Sequence, residues 1–296
     1  MLKAKEMLSS AVTRRNFLVG AGSAAALTAV GCGSSSKGTL PTTPPTTPDI
    51  TDTDILNFAL NLEYLEASYY LYAATGSGLS ASDMGSNAGT VTGGAQVPFA
   101  SKIQQEYAYE IAQDELNHVR FLRSALGNTA VSMPDIDLKN SFNTAASAAG
   151  IGASFNPFAS YETFLLGAFV FEDVGVTAYT GAAPLLKDKN FLNAAAGIQA
   201  VEAYHAGEIR TLVVAAGQTY VDLANKISAL RAKLGGGNET TLTGTSIVAS
   251  DPTNAIAYSR TTDQVLQIVY GMVGGNVASG LFFPNGLNGT IKSTAA

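Results

Sequence analysis

Histidine is almost missing from this chain: among 296 residues there are two, His118 and His205. Cysteine occurs once, at Cys32, and tryptophan not at all. A single cysteine excludes an intramolecular disulfide, and without a thiolate cluster soft-metal sites are disfavoured. Charge is sparse as well. Asp, Glu, Lys and Arg make up 14% of the residues against 46% hydrophobic ones, so a substantial core can be buried. The formal net charge is −6. An acidic chain has no electrostatic footprint for nucleic acid and no basic face for anionic lipid.

The two histidines share one context. Each stands three places after a glutamate, in Glu115-Leu-Asn-His118 and Glu202-Ala-Tyr-His205. At i and i+3 on a helix both side chains leave the same face about one turn apart, so carboxylate and imidazole can grip one metal centre. Dinuclear bundles use one Glu from each of two helices and a Glu-x-x-His from each of the other two. Glu63 and Glu172, both in apolar segments, complete such a set. A solvated surface pair would explain one Glu-x-x-His. It does not explain two, formed by the only histidines, on apolar helices. Four carboxylates buried without arginine partners would not stay ionised together. Two divalent cations balance them, with neutral imidazoles as further ligands. Oxygen and nitrogen ligands of this kind suit two iron or manganese ions, with zinc an opportunistic occupant. With both histidines committed, no serine or cysteine triad can form.

Helix C, defined below, offers Glu172 and Asp173. Glu172 continues the stripe Ala168, Phe169, Glu172, Val176 and is preferred. Helix A offers Glu63 and Glu66, which periodicity alone does not separate. Glu115 and Glu202 are expected to bridge, and His118 and His205 to bind one metal each. These six residues are also the candidate catalytic set. Asp114, Asp173 and Glu208 are candidates to orient the imidazoles; Tyr70, Tyr107 and Tyr204 are candidates to lie near the metals.

Residues 1–32 read as an export signal. Thr13-Arg14-Arg15-Asn16-Phe17-Leu18 resembles the twin-arginine consensus, which implies the twin-arginine translocase as a partner, and Phe17–Val30 has the length of a signal's apolar region. Without this leader the net charge falls to −9. Cys32, preceded by Leu27-Thr-Ala-Val-Gly and followed by Gly33-Ser-Ser-Ser36, resembles a bacterial lipobox, implying lipidation and a membrane anchor. Ala29 stands where that pattern favours Leu, so plain signal cleavage near Ala29 is the rival reading. Residues 33–50 are Gly/Ser-rich and then Thr/Pro-rich, a spacer of roughly 50 Å at ~3 Å per residue. The expected location is periplasm or cell envelope.

The body, residues 51–234, reads as four long helices. Helix A spans about Asp52–Ala74, B Pro98–Leu126, C Pro157 or Ser160 to Thr180, and D Lys187–Ala216. Between A and B a wandering loop is expected over Gly76–Gln96, and a short helix near Leu138–Ala148. Another short helix covers Tyr220–Leu234. The Gly/Thr-rich extension 235–296 carries one more at Thr262–Met272. With no strand alternation, the fold class is an all-α four-helix bundle with short C-terminal helices.

Glu, Glu-x-x-His, Glu, Glu-x-x-His in chain order resembles the ferritin-like superfamily. The segment Leu56-Asn-Phe-Ala-Leu-Asn-Leu-Glu-Tyr-Leu-Glu-Ala-Ser-Tyr-Tyr70, with Ser259–Tyr270 and Phe282-Phe-Pro-Asn-Gly286, is similar to exported ferritin-like proteins grouped with desiccation-related proteins, over about residues 50–290. That resemblance places a tyrosine seven residues after the helix A ligand. Glu63 with Tyr70 fits it, so Glu63 is expected to ligate and Glu66 to be the alternate. It also implies an oxidoreductase acting on dioxygen, peroxide or iron(II) in stress protection. A non-enzymatic desiccation scaffold is the second reading, and an iron-storage cage, obstructed by a lipidated stalk, the third. The decisive geometry is simple: all six groups must converge, with Glu66 farther from the histidines than Glu63.

Overall fold

Each long helix starts where a side chain can satisfy its free backbone amides. The structure, a computed structural model, describes residues 49–296. The signal, Cys32 and nearly all of the spacer lie outside the described residues. α1 is Asp52–Thr75, α3 Lys102–Leu126, α5 Tyr161–Ala182 and α6 Lys189–Ala216. Thr51, Ser101, Ser160 and Asp188 cap them, the first three in reciprocal capping boxes. These caps explain why α3 and α6 begin a few residues later than Pro98 and Lys187: the preceding residues are spent on the cap. α1 ends at Gly76, whose φ of 77° is the left-handed conformation that glycine adopts freely.

Cross-helix hydrogen bonds give the topology. Val97 N–H donates to Ala73 O, while Asn57 donates to Thr129 O, so α1 and α3 run antiparallel. Tyr69 donates to Phe164 O, setting the end of α1 beside the start of α5. Gln199 donates to Thr180 Oγ1, setting the start of α6 beside the end of α5. The bundle therefore runs up-down-down-up, with its long crossover between α3 and α5, as in ferritin-like folds.

α1 and α5 are apolar almost all round and are buried on nearly every face, whereas α3 and α6 bury one stripe each. The connection between α1 and α3 departs from the expected loop. It contains the one-turn helix α2, Ala81–Met84, and strand β1, Val91–Thr92, paired in parallel with β2, Ile136–Asp137, of the crossover. Two residues per strand carry no alternation that a sequence could reveal. The short helices are α4 Asn140–Ala148, α7 Gln218–Leu234 and α8 Thr262–Tyr270. α8 packs on α5 and α7, and the extension closes over α1 through the reciprocal pair Asn61–Asn288.

Candidate metal centre

The i, i+3 spacing on α3 and α6 sends Glu115, His118, Glu202 and His205 into the bundle, and all four are buried. Glu63 on α1 and Glu172 on α5 come from the opposite side and are buried as well. Nδ1 of His118 lies 3.3 Å from Glu63, 3.5 Å from Glu115 and 3.4 Å from Glu202. Nδ1 of His205 lies 3.0 Å from Glu115 and 3.7 Å from Glu172. Two groups result, Glu63–Glu115–His118–Glu202 and Glu115–Glu172–His205, each with its ligand atoms within 4.8 Å of one another. Glu115 belongs to both. Glu202 joins the first group.

Eight polar atoms in this pocket are buried without a hydrogen-bond partner. They are Oε2 of Glu63 and Glu172, both carboxylate oxygens of Glu115 and Glu202, and Nδ1 of both histidines. Each such atom costs about 1–3 kcal/mol. The donors approach one another without aligned hydrogen bonds, which is the arrangement of ligands facing a cation rather than of a polar network. The residues present therefore fit a metal centre.

Protonation follows from the same crowding. Burial pushes Glu63 up to about 8, aided by Glu115 and Glu202 and opposed by His118. Burial also raises Glu66, Glu172 and Glu202, each reinforced by neighbouring carboxylates. Burial works against charge on the imidazoles, yet the facing glutamates outweigh it, raising His118 and lifting His205 to about 10. Glu115 is lowered: its burial is overcome by the close approach and attraction of both histidines. Without cations the pocket balances itself with protons, so metal binding must displace them.

The remaining candidates divide. Tyr70 donates to Glu172 Oε1, and Asp114 Oδ2 meets His205 Nε2 at 3.2 Å, fixing that ring's orientation. Glu66 is buried but has no contact with either histidine, as the alternate should. Glu208 feels His205 electrostatically and forms no hydrogen bond to it. Three expectations are corrected. Asp173 does not orient an imidazole; it points away from the pocket and pairs with Arg210 and Arg231. Tyr204 is 75% exposed and Tyr107 is exposed too, because both lie on the solvent-facing sides of their helices.

One residue escaped the sequence reading. Tyr179 donates to Glu63 Oε1 across the α1–α5 interface, as Tyr70 does to Glu172 in the other direction. The signal was present: Tyr179 follows Glu172 by the same seven residues that separate Tyr70 from Glu63. In antiparallel helices that spacing brings each hydroxyl to the other helix's carboxylate.

The ferritin-like domain family matches residues 51–215. Two curated proteins are similar over most of their length. Ferritin-like catalase Nec2 of Nesocodon mauritianus is 28% identical over 82% of this chain and 85% of its own. Desiccation-related protein PCC13-62 of Craterostigma plantagineum is 31% identical over 73% of this chain and 76% of its own.

Proposed function

Because the chain belongs to the ferritin-like domain family, we propose that it is a dinuclear iron or manganese oxidoreductase acting on peroxide, with dioxygen or iron(II) as the related substrates. The observation that carries this reading is the convergence of four carboxylates and both histidines with unpartnered ligand atoms. Glu63, Glu115, His118 and Glu202 would hold one ion, and Glu115, Glu172 and His205 the other. Bound there, the pair of ions supplies a redox couple that exchanges electrons with a small oxidant.

The protein's own groups do the rest. The Tyr179 and Tyr70 hydroxyls hold Glu63 and Glu172 in place. Asp114, with a side chain 42% exposed, is hydrogen-bonded to His205 and passes protons between pocket and solvent. Similarity to a protein named as a catalase supports peroxide as the substrate. Disproportionation is balanced without any further reductant: two H2O2 give two H2O and one O2, one molecule being oxidised as the other is reduced.

The second reading is an envelope scaffold in dry or stressed cells, its metals structural. Similarity to a desiccation-related protein favours it. Export belongs to the same proposal and rests on Arg14-Arg15, with Cys32 as the site of a lipid anchor.

Metal analysis and peroxide turnover of protein loaded in its host separate these readings. About two ions per chain with oxygen release is expected, and His118→Ala and His205→Ala should each lose most of one equivalent. Fewer than about one ion in total would sink the dinuclear reading, and full metal without turnover would leave the scaffold. Lysine at both Arg14 and Arg15 should retain precursor in the cytoplasm.

A further inference from the structure

The cluster has two unlike sides. Towards α3 and α6 it is polar, and His205 reaches solvent through the half-exposed carboxylate of Asp114. Towards α8 it is backed by two apolar chambers in series. The inner one, about 20 Å³, is lined by Leu62, Leu65, Val174 and Val269, with Glu66 and Gly175 at its deep end. The outer one, about 40 Å³, lies among α4, α7 and α8 and ends at the half-buried Ala145, Ala149 and Ile151. Val170, Ile268 and Phe282 line both chambers, so the two adjoin across these three side chains.

Gly175 decides what happens at the deep end. A Cβ added there would stand 2.3 Å from Glu202 Oε2 and 3.4 Å from Glu66 Oε1. Any other residue would push the Glu202 carboxylate away from this face of the helix. With glycine, the Glu202 carboxylate lies directly against the backbone that borders the inner chamber, with Glu66 beside it. Helix interiors disfavour glycine relative to alanine, so this close approach comes at a cost in stability.

We propose that these chambers form a passage carrying dioxygen between the α4–α7 surface and the carboxylate–histidine cluster. Apart from Glu66 in the inner chamber and Arg231 in the outer one, the lining is apolar and holds water poorly, while a small apolar gas enters it readily. Peroxide is the opposite case. It needs hydrogen bonds throughout and is suited to the Asp114 side. In the oxidoreductase reading, on which this inference rests, the polar substrate and the apolar product thus use different faces of one site. Separation prevents dioxygen from having to leave against incoming peroxide.

Krypton is the probe, because it resembles dioxygen in size and is visible by anomalous scattering. Crystals of the metal-loaded protein pressurised with krypton should show it in both chambers. Val170→Trp, at their junction, should remove the inner site and slow oxygen release about tenfold, with metal content unchanged. Ala149→Leu, at the half-exposed mouth, covers the case in which the larger change does not fold, and should lower outer occupancy. Krypton in neither chamber, or full oxygen release from a junction-blocked, metal-replete variant, would overturn the passage. Krypton in both chambers without any turnover would instead overturn the oxidoreductase reading and leave a gas-binding passage standing.

Discussion

Glu172 and Asp173 are neighbours in sequence, both buried, and they belong to opposite kinds of charge cluster. Asp173 faces Arg210 at 2.8 Å and Arg231 at 2.7 Å. Arg231 also meets Glu239 at 2.8 Å, Glu239 meets Arg260 at 2.6 Å, and Arg260 donates to Thr177. The Arg210 and Arg231 guanidinium groups stack over Phe169, 5.4 and 4.7 Å from its centroid. This cluster carries its own counter-charges. Glu172, one position along, turns inward to a set of carboxylates with no arginine, whose ligand atoms are unpartnered. A buried acid with an internal cation is part of the scaffold. A buried acid without one is waiting on something from outside, and that contrast, more than burial itself, marks the functional cluster.

The comparison breaks most visibly on the scaffold side. Arg231→Met leaves Asp173 and Glu239 short of a partner, and breaking a buried pair costs about 3–5 kcal/mol. Thermal melts should drop by on the order of 10 °C, with and without metal alike. A drop seen only in loaded protein would mean the arginine cluster serves the metal site after all.

A pH series sharpens it next. His205 titrates at about 10 in the folded chain against 6.5 when unperturbed, so its contribution is complete below about pH 6.5 and is lost as pH rises through 10. Glu63 titrates at about 8 against 4.5, and its contribution likewise fades as pH rises through 8. Both act in one direction. Chelator-treated protein should lose melting temperature between pH 5 and 9, while metal affinity rises over the same range as the displaced protons become easier to remove. A chelated form that gains stability across that window would contradict the proton-balanced pocket.

The smallest effects test the tyrosines. Tyr179→Phe removes the hydroxyl that orients Glu63 and should weaken metal binding about tenfold by competition titration. Tyr204→Phe, at an exposed position beside His205 in sequence, should change nothing measurable. Equal effects from the two would show that nearness in sequence, not the cross-helix bond, was being read.

Much of this was legible in the chain. The four long helices announce themselves through Thr51, Ser101, Ser160 and Asp188 as caps and through apolar runs too long for strands. The i, i+3 spacing placed Glu115 with His118 and Glu202 with His205, because one helix turn is a local matter settled by 3.6 residues. What lies across an interface was not available in that way. Asp173 looked like an acid beside a metal ligand, and its real partners stand 37 and 58 residues away. Tyr204 looked central because of its motif, yet on α6, which buries a single stripe, the roughly 100° step from His205 carries it to solvent. The pattern of four glutamates and two histidines and the fold class were therefore determined by sequence, through periodicities that any helix must obey. Tertiary structure alone decided that Glu63 meets His118 while Glu66 turns to the apolar chamber, that Glu115 is the carboxylate common to both groups, and that Tyr70 and Tyr179 exchange partners. Those outcomes depend on how far apart and how rotated two packed helices are, and no repeat along a single chain encodes that.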